Sequence, residues 1–281
     1  MRKKQSKITK NYKKTHKYQH LLLLFFFIIF LSLGQKNINF SRKKSKKVEK
    51  MSFLSNNTFK SGETLKYKIS YGRKNKRGGL FFAAHATFSV KDSVINDSTK
   101  IYSLSGRGKT TRLFSFFIKV NHQYKSFTQV TSLSTIESQM SIQEGKYHDF
   151  EHIIINQDTL LKKANVNDIL CSFYKLRTIS QKTMDMTDTL FFSYYYDGIV
   201  YNSYILNLGK EVVKTKFGKI NTIKCAQRLE EGRMFKENSR AFVWVTDDEM
   251  HIPVKLEIPV LVGSIYVNLV SSNQIIFSLT E

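Results

Sequence analysis

The sequence predicts a mainly β protein: a single antiparallel β-barrel, half-barrel or sandwich-like domain of ten or more strands, with one short helix. Aromatic residues make up 13% of the 281 residues and Pro occurs only twice, a mixture that suits strands because rings pack well on a pleated surface. From about residue 65 onward, apolar and polar residues alternate between turn signals. Hydrophobic residues make up 41%, which excludes a disordered tail and a polytopic membrane protein.

The N-terminal region has the pattern of an export signal. Residues 1–20 are strongly basic, and residues 21–33 are apolar apart from one serine. Thirteen helical residues span only about 20 Å, short of the ~30 Å hydrocarbon core of a bilayer. This layout is typical of a secretory signal peptide covering residues 1–34, with Ser32 and Gly34 before the cut. The alternative is an uncleaved N-terminal anchor. Either form predicts an exported protein of the periplasm or envelope, with membrane contact only through this segment if it is uncleaved.

The net charge of +23 is concentrated before the domain. The first 50 residues contribute +14, which leaves +9 for the rest. Residues 35–55 read as a basic, flexible lead-in, and residues 56–281 as the β-rich domain. Within the domain, basic residues alternate with apolar ones, as expected for the solvated face of a strand. Nucleic-acid surfaces more often cluster Arg with aromatic residues, so the sequence predicts no nucleic-acid partner.

Alternating runs predict the strands in order. They lie at residues 65–71, 80–90, 101–104, 113–127, 153–156, 191–196, 199–206, 211–216, 220–228, 241–246, 254–258 and 265–270. Asp197-Gly198 supplies the two positive-φ residues of a type I′ turn, so the flanking aromatic runs predict a hairpin. A second hairpin is expected around Phe217-Gly218.

The predicted helix covers residues 167–177. It begins with Asn167-Asp168, residue types that cap helix N-termini, and its apolar residues have helical spacing. The two cysteines of the chain, Cys171 and Cys225, each lie in an apolar context. In an oxidising compartment they could pair, and two buried free thiols are the alternative.

Two motifs that resemble chemical sites have simpler explanations. Residues 106–110 (GRGKT) lack the glycine that a phosphate-binding loop needs five residues earlier, and the chain after them reads as extended. Residues 148–152 (HDFEH) match a zinc-peptidase pattern that requires a helix. Here a glycine precedes the run and three isoleucines follow it, which favours a strand. The sequence therefore predicts no metal and no cofactor.

A few polar and aromatic residues are candidates for binding. Asp247 and Asp248 are a candidate cation site, although such a triplet between strands (with Glu249) is often only a turn. The aromatic hairpin could line a ligand cleft or simply fill the core. The candidate ligand-binding residues are Tyr174, Arg177, Tyr194, Tyr196 and Trp244.

Several segments resemble one family of bacterial exported proteins. They are residues 59–67 (FKSGETLKY), 120–127 (VNHQYKSF), 173–177 (FYKLR), 214–220 (KTKFGKI), 243–248 (VWVTDD), 252–254 (IPV) and 262–265 (VGSI). In this order they resemble the DUF3108 family, a domain of unknown function common in Bacteroidota. The resemblance implies a β-rich exported domain and supplies no established activity or catalytic residues. His122-Gln123 replaces a more acidic pair of the family pattern, which puts an ion-binding role in doubt.

The leading functional hypothesis is a non-enzymatic envelope protein that binds an apolar or amphipathic ligand, such as a lipid, or a partner protein. A curved sheet with many inward rings either fills its own core or leaves an apolar cleft. The first alternative is a structural or assembly factor of the envelope, which should expose an apolar patch or an unpaired strand edge. The second is an envelope hydrolase that uses Asp247 and Asp248 with His251.

Overall fold

The computed structural model describes residues 58–72, 80–95, 98–155, 166–229 and 239–273. The predicted signal peptide (1–34) and basic lead-in (35–55) lie outside these residues, as do residues 73–79, which connect the first two predicted strands.

Thirteen strands in the described parts of the chain form one sheet, which confirms the predicted mainly β class. They are β1 (Thr64–Gly72), β2 (Leu80–Ile95), β3 (Thr99–Thr110), β4 (Val120–Gln129), β5 (Thr135–Glu144), β6 (Tyr147–Ile154), β7 (Asn167–Asp168), β8 (Thr189–Tyr196), β9 (Ile199–Thr215), β10 (Gly218–Arg228), β11 (Arg240–Thr246), β12 (Pro253–Pro259) and β13 (Ser264–Ser272). Two helices, α1 (Ile169–Arg177) and α2 (Gln181–Met186), lie between β7 and β8.

The order of strands in the sheet is β6-β5-β4-β3-β2-β1-β13-β12-β11-β10-β9-β8-β7. The sheet is therefore two meanders joined by the pairing of the first strand with the last. Every pair is antiparallel except that of β7 with β8. Ile69 of β1 lies opposite Ala84 on one side and Val267 on the other.

Side-chain contacts between the two ends of the strand order show that the sheet is strongly curved. The Tyr195 hydroxyl of β8 donates to Glu151 of β6 at 2.5 Å. Beside it, the amide of Thr135 in β5 donates to the Asn167 side chain of β7 at 3.0 Å. These contacts give the sheet a barrel-like shape whose seam is held by side chains.

Helix α1 lies inside the curved sheet and confirms the predicted helix. Asp168 is its N-cap, and its carboxylate accepts from the amides of Leu170 and Cys171 at 2.8 and 3.2 Å. The other carboxylate oxygen accepts from the hydroxyls of Ser126 and Thr135 at 2.5 and 2.7 Å. One buried residue therefore starts the helix and fixes it to the sheet.

The core is built on aromatic contacts between α1 and the strands. Phe173 packs on Phe88 of β2 with ring centroids 5.3 Å apart. Gly106 of β3 allows this close approach, since a Cβ there would stand 3.2 Å from the Phe88 ring and 3.4 Å from Leu170. The first glycine of the GRGKT motif is thus explained by packing within a strand.

The predicted type I′ hairpin is present. Asp197 and Gly198 have φ values of 48° and 76°, and Tyr196 lies directly opposite Ile199. The second predicted hairpin, between β9 and β10, is also present, with Thr215 opposite Gly218.

The prediction of one extended segment over residues 113–127 is wrong in its first half. Residues Phe114–Phe116 form a short 3-10 turn, and β4 begins only at Val120. Thr111 causes the difference, because its hydroxyl accepts from the Phe114 amide at 3.2 Å and its carbonyl accepts from the Ser115 amide at 2.8 Å. These local bonds compete with strand pairing.

A second helix, α2, was not predicted. The Ser180 side chain caps it by accepting from the Thr183 amide at 3.2 Å. At six residues it is too short to show a clear apolar period. Neither helix in the described ranges is long and apolar enough to cross a membrane.

Candidate functional site

A buried ion pair holds the C-terminal end of α1 against the start of β1. Arg177 donates from Nη1 and Nη2 to the two carboxylate oxygens of Glu63 at 2.7 and 2.9 Å. Its Nε donates to the Met250 carbonyl at 3.2 Å. Arg177 is 3% exposed and Glu63 1%. Arg177 was predicted as a candidate ligand-binding residue, and in the structure its guanidinium is paired with a carboxylate.

The turn before β1 places Glu63 in this position. Gly62 has a φ of 90°, a backbone conformation that glycine adopts without strain. Its amide donates to the Val90 carbonyl at 2.8 Å, and the Glu63 amide donates to the Lys60 carbonyl at 3.1 Å. Glu63 is therefore directed inward, toward the helix.

Aromatic rings enclose the ion pair. The rings of Phe59 and Tyr174 each lie 5.5 Å from the guanidinium carbon of Arg177. The Tyr67 hydroxyl donates to the Pro253 carbonyl at 3.0 Å. Burial raises the pKa of both Tyr67 and Tyr174. The Glu63 carboxylate also raises the two pKa values, and the Arg177 guanidinium acts in the opposite direction. The two phenols remain protonated throughout the range in which proteins fold.

An apolar pocket, here called the helix–sheet pocket, lies beside the ion pair. It is bounded by α1, α2 and strands β8 to β12, and its volume is about 60 Å³. Its lining is apolar except for Arg177 and His251. The apolar lining residues are Phe173, Leu176, Ile179, Met184, Leu190, Ile205, Cys225, Val243, Val245 and Pro253.

The polar side chains of the pocket are already bonded to protein atoms. His251 Nδ1 lies 3.0 Å from the Arg177 carbonyl oxygen, and Nε2 lies 3.0 Å from Oε1 of Gln181. Burial lowers the pKa of the His251 imidazole, while the bond to the Arg177 carbonyl acts in the opposite direction. The pocket wall thus offers a bound molecule mainly hydrocarbon.

Asp247 and Asp248, the candidate cation site, form the turn between β11 and β12 as sequence reasoning allowed. Asp247 accepts from Gln181 at 2.8 Å and lies 2.9 Å from the Lys210 ammonium. Asp248 accepts from the Thr246 hydroxyl at 2.6 Å and from the Met250 amide at 2.9 Å. Both carboxylates therefore have protein partners, and their binding of a cation stays a prediction.

The structure brings together only some of the predicted ligand residues. Arg177 lines the helix–sheet pocket, and Tyr174 lies beside it against the ion pair. Tyr194 stacks on Tyr201 of the next strand with centroids 5.4 Å apart. Burial raises the pKa of Tyr196, and a hydrogen bond to Tyr124 adds to this effect.

Trp244 lies outside the lining of the pocket, while its neighbours Val243 and Val245 belong to it. Successive residues of a strand point to opposite faces. The Trp244 ring lies 3.8 Å from the Lys255 ammonium and 5.0 Å from that of Lys224. A role in ligand binding for Trp244, Tyr194 and Tyr196 stays a prediction.

Sequence reasoning missed Glu63 and most of the pocket lining. Glu63 lies 114 residues from Arg177, and a lone acid before a strand gives no signal of such a partner. The available signal was the Gly62-Glu63 turn. The lining residues are ordinary apolar positions of alternating strands.

The HDFEH run forms part of β6, as its context predicted. Glu151 accepts from Tyr195, and His152 lies 2.9 Å from Glu137. Within the described ranges, no three His, Cys, Asp or Glu side chains are grouped so as to hold a metal ion.

The two cysteines are buried and free. Of the two alternatives left open by the sequence, the structure has the free thiols. Burial raises the pKa of each thiol to about 12. Neither thiol is therefore a nucleophile at neutral pH.

A family model described as a protein of unknown function (DUF3108) matches residues 66–270, which is 205 of the 281 residues. The range runs from β1 to β13. No curated protein matches the chain.

Three solved structures are similar in part. A beta-barrel-like protein of the domain of unknown function DUF1849 from Brucella abortus is 7% identical, with a TM-score of 0.39, and the match covers 75% of this chain and 96% of the other. The lipoprotein LppX from Mycobacterium tuberculosis is 14% identical, with a TM-score of 0.26 and coverages of 76% and 87%. A Bacteroides fragilis protein with a YmcC-like fold, described as an exported protein, is 11% identical, with a TM-score of 0.28 and coverages of 80% and 100%.

Proposed function

Because the chain belongs to the DUF3108 family of proteins of unknown function, we propose a function from the geometry of its own site. The protein is an exported, non-enzymatic β-domain that holds the apolar part of a ligand in the helix–sheet pocket. The observation that carries this proposal is the lining: ten of its twelve residues are apolar. Export rests on the N-terminal sequence.

The hydrogen bonds of the two polar lining residues favour an apolar ligand. All three guanidinium nitrogens of Arg177 and both ring nitrogens of His251 already have protein partners. A charged headgroup placed between them would have to break those bonds. A hydrocarbon chain has no such requirement.

The size of the pocket limits what it holds. A volume of about 60 Å³ is well below the roughly 300–1,000 Å³ of sites that enclose a drug-sized ligand. The pocket therefore takes the end of a hydrocarbon chain, with the rest of the molecule outside. Met184 of α2 lines the pocket, and its unbranched side chain can adapt to such a guest.

The hydrolase alternative has less support. A hydrolytic site needs polar groups that converge on one reacting atom. Here the Asp247 and Asp248 carboxylates are bonded to Gln181 and to the turn itself, and the His251 ring is bonded to Arg177 and Gln181.

Native mass spectrometry tests the proposal. Protein exported and purified without detergent should carry an additional mass that disappears on denaturation. A Val243→Phe variant should lose that mass, because the new ring fills the pocket. Val212→Phe is the matched control, since Val212 is exposed and lies outside the lining. A bare wild-type mass, or retention of the ligand by folded Val243→Phe protein, would contradict the proposal.

A further inference from the structure

One end of the sheet carries a group of exposed apolar side chains, here called the apolar rim. It consists of Phe81, Phe82, Leu113, Phe116, Phe117, Leu261 and Val262. They come from three segments: the start of β2, the connection from β3 to β4, and the turn between β12 and β13.

Hydrogen bonds from side-chain hydroxyls to backbone carbonyls show that the three segments are neighbours. The Thr111 hydroxyl, at the start of the β3–β4 connection, donates to the Phe82 carbonyl at 3.3 Å. The Tyr71 hydroxyl donates to the Val262 carbonyl at 2.7 Å, and Tyr71 lies opposite Phe81 in the sheet. The three segments of the apolar rim therefore lie side by side at one end of the sheet.

The most exposed members have no role in the core. Phe116 is 96% exposed, Phe117 86% and Leu113 85%. The 3-10 turn holds them outward, while Phe114 of the same turn packs against the core. Aromatic side chains held this far into solvent on an ordered turn mark an interaction site.

The charges around the apolar rim are basic. Exposed Lys109, Arg112 and Lys119 lie on or beside the β3–β4 connection, and the Lys68 ammonium lies 4.8 Å from the centre of the Phe82 ring. Residues 111–119 and 260–263 contain no acidic residue. The nearby Glu144, at the β5–β6 turn, is paired with His122 at 3.0 Å.

We propose that the apolar rim docks on the surface of a membrane that contains anionic lipids. Its aromatic tips enter the boundary between headgroups and acyl chains, and the surrounding cations contact the headgroups. Exposed apolar side chains surrounded by basic residues suit an anionic lipid surface better than a protein surface. A protein partner would have to place an acidic group opposite each basic residue.

This contact is separate from the helix–sheet pocket. The Gly62 amide is bonded to Val90, nine residues along β2 from Phe81, or about 30 Å at the rise of an extended strand. The ion pair of Glu63 with Arg177 therefore lies at the other end of the sheet. The inference does not depend on the proposed function.

Vesicle sedimentation with the whole exported protein is the test. The probes are vesicles of phosphatidylcholine alone and of phosphatidylcholine with phosphatidylglycerol. We expect binding to the anionic vesicles that weakens with salt. The double variant Phe116→Ser/Phe117→Ser should lose at least tenfold in affinity. Arg112→Gln and Lys119→Gln should each lose about fivefold, the effect of one cation near an anionic surface.

The matched control is Phe150→Ser/Phe191→Ser. Both phenylalanines are exposed and lie on β6 and β8, outside the apolar rim, so this variant should bind vesicles within twofold of wild type. All variants keep the N-terminal region, and any contact which that region makes cancels in the comparison. Equal losses in the two double variants would overturn the proposal.

A second readout avoids any loss of folding. Phe116→Trp adds a fluorophore at the apolar rim to a chain with one native Trp. Its emission should shift to shorter wavelength on anionic vesicles and be quenched by brominated lipids. Emission identical to wild type with and without vesicles would overturn the proposal. So would wild-type capture of a protein partner that Phe116→Ser/Phe117→Ser abolishes, in the absence of any vesicle binding.

Discussion

Arg177, the last residue of α1, binds both carboxylate oxygens of Glu63, a residue 114 positions earlier in the chain, and both side chains are buried. This contact connects the helix to the first strand of the sheet. The helix in turn forms one wall of the helix–sheet pocket, so the ion pair positions that wall.

Removing one charge of this ion pair should lower the free energy of unfolding substantially. Glu63→Gln leaves the Arg177 charge buried without its counter-ion, and we expect a loss of about 3–5 kcal/mol in the free energy of unfolding. The double variant Glu63→Leu/Arg177→Met removes both charges and should lose much less. Urea unfolding measures the loss of stability in the single variant and in the double variant. Asp185→Asn, which removes an exposed partner of Lys210, is the control and should change little. Equal losses in the single and double variants would show that the charges are not coupled.

The two buried tyrosines beside the ion pair should respond differently to loss of the hydroxyl. The Tyr174 hydroxyl is buried and has no hydrogen-bond partner among the described residues. Tyr174→Phe should therefore leave the free energy of unfolding unchanged or raise it by about 1 kcal/mol. Tyr67→Phe removes the bond to Pro253 and should lower it by about 1 kcal/mol. A larger loss for Tyr174→Phe than for Tyr67→Phe would contradict this assignment.

His251 should contribute a loss of stability in mild acid. Burial holds the pKa of its imidazole below the unfolded value of about 6.5. Between the folded-state pKa and about pH 6.5, the unfolded chain binds more protons than the folded chain. The contribution of neutral His251 to stability is therefore complete above about pH 6.5 and is lost as the pH falls through the folded-state pKa. Thermal unfolding between pH 8 and pH 5 measures this slope.

His251→Asn should flatten that pH dependence, since Asn tolerates the positive φ of 41° at this position. His148→Asn, at an exposed position on β6, is the control and should keep the wild-type slope. An unchanged slope in His251→Asn protein would assign the acid sensitivity to another group.

The two thiols should not react with a thiol reagent in the folded protein. Cys171 and Cys225 are buried, and burial raises the pKa of each thiol to about 12. A thiol reagent added at pH 8 should label neither cysteine in native protein and both after unfolding without reductant. Labelling of neither cysteine after unfolding would reveal a disulfide and contradict the structure.

Local signals explain which parts of the fold were predictable from the sequence. Asp197-Gly198 determines its hairpin through two backbone angles. Asp168 determines the start of α1 through bonds to the amides of Leu170 and Cys171 in the first turn of the helix. The turn at Phe114–Phe116 was missed because a run of apolar residues has the composition of a strand. The deciding bonds come from the single hydroxyl and carbonyl of Thr111.

The candidate site was less predictable because it depends on contacts that are distant in sequence. Arg177 was selected, but its partner Glu63 joins it only through the sheet. On β11, Trp244 was selected for its chemistry, although Val243 and Val245 line the pocket. A shift of one residue along a strand exchanges its two faces, and a sequence alone does not say which face is enclosed.

The pairing of β1 with β13 has a consequence for how the domain is made. The Thr64 amide and the Gly62 carbonyl are both bonded to the Asn273 side chain at 2.7 Å. During synthesis, β1 stays an open edge until the final strand has left the ribosome, so the two meanders cannot join before translation of the domain is nearly complete. A domain that closes through such a late, long-range pairing folds slowly. The same adjacency makes the domain a good subject for circular permutation: a short linker from Asn273 to Thr58, with new ends at the β6–β7 connection, would convert the last step of folding into a local hairpin.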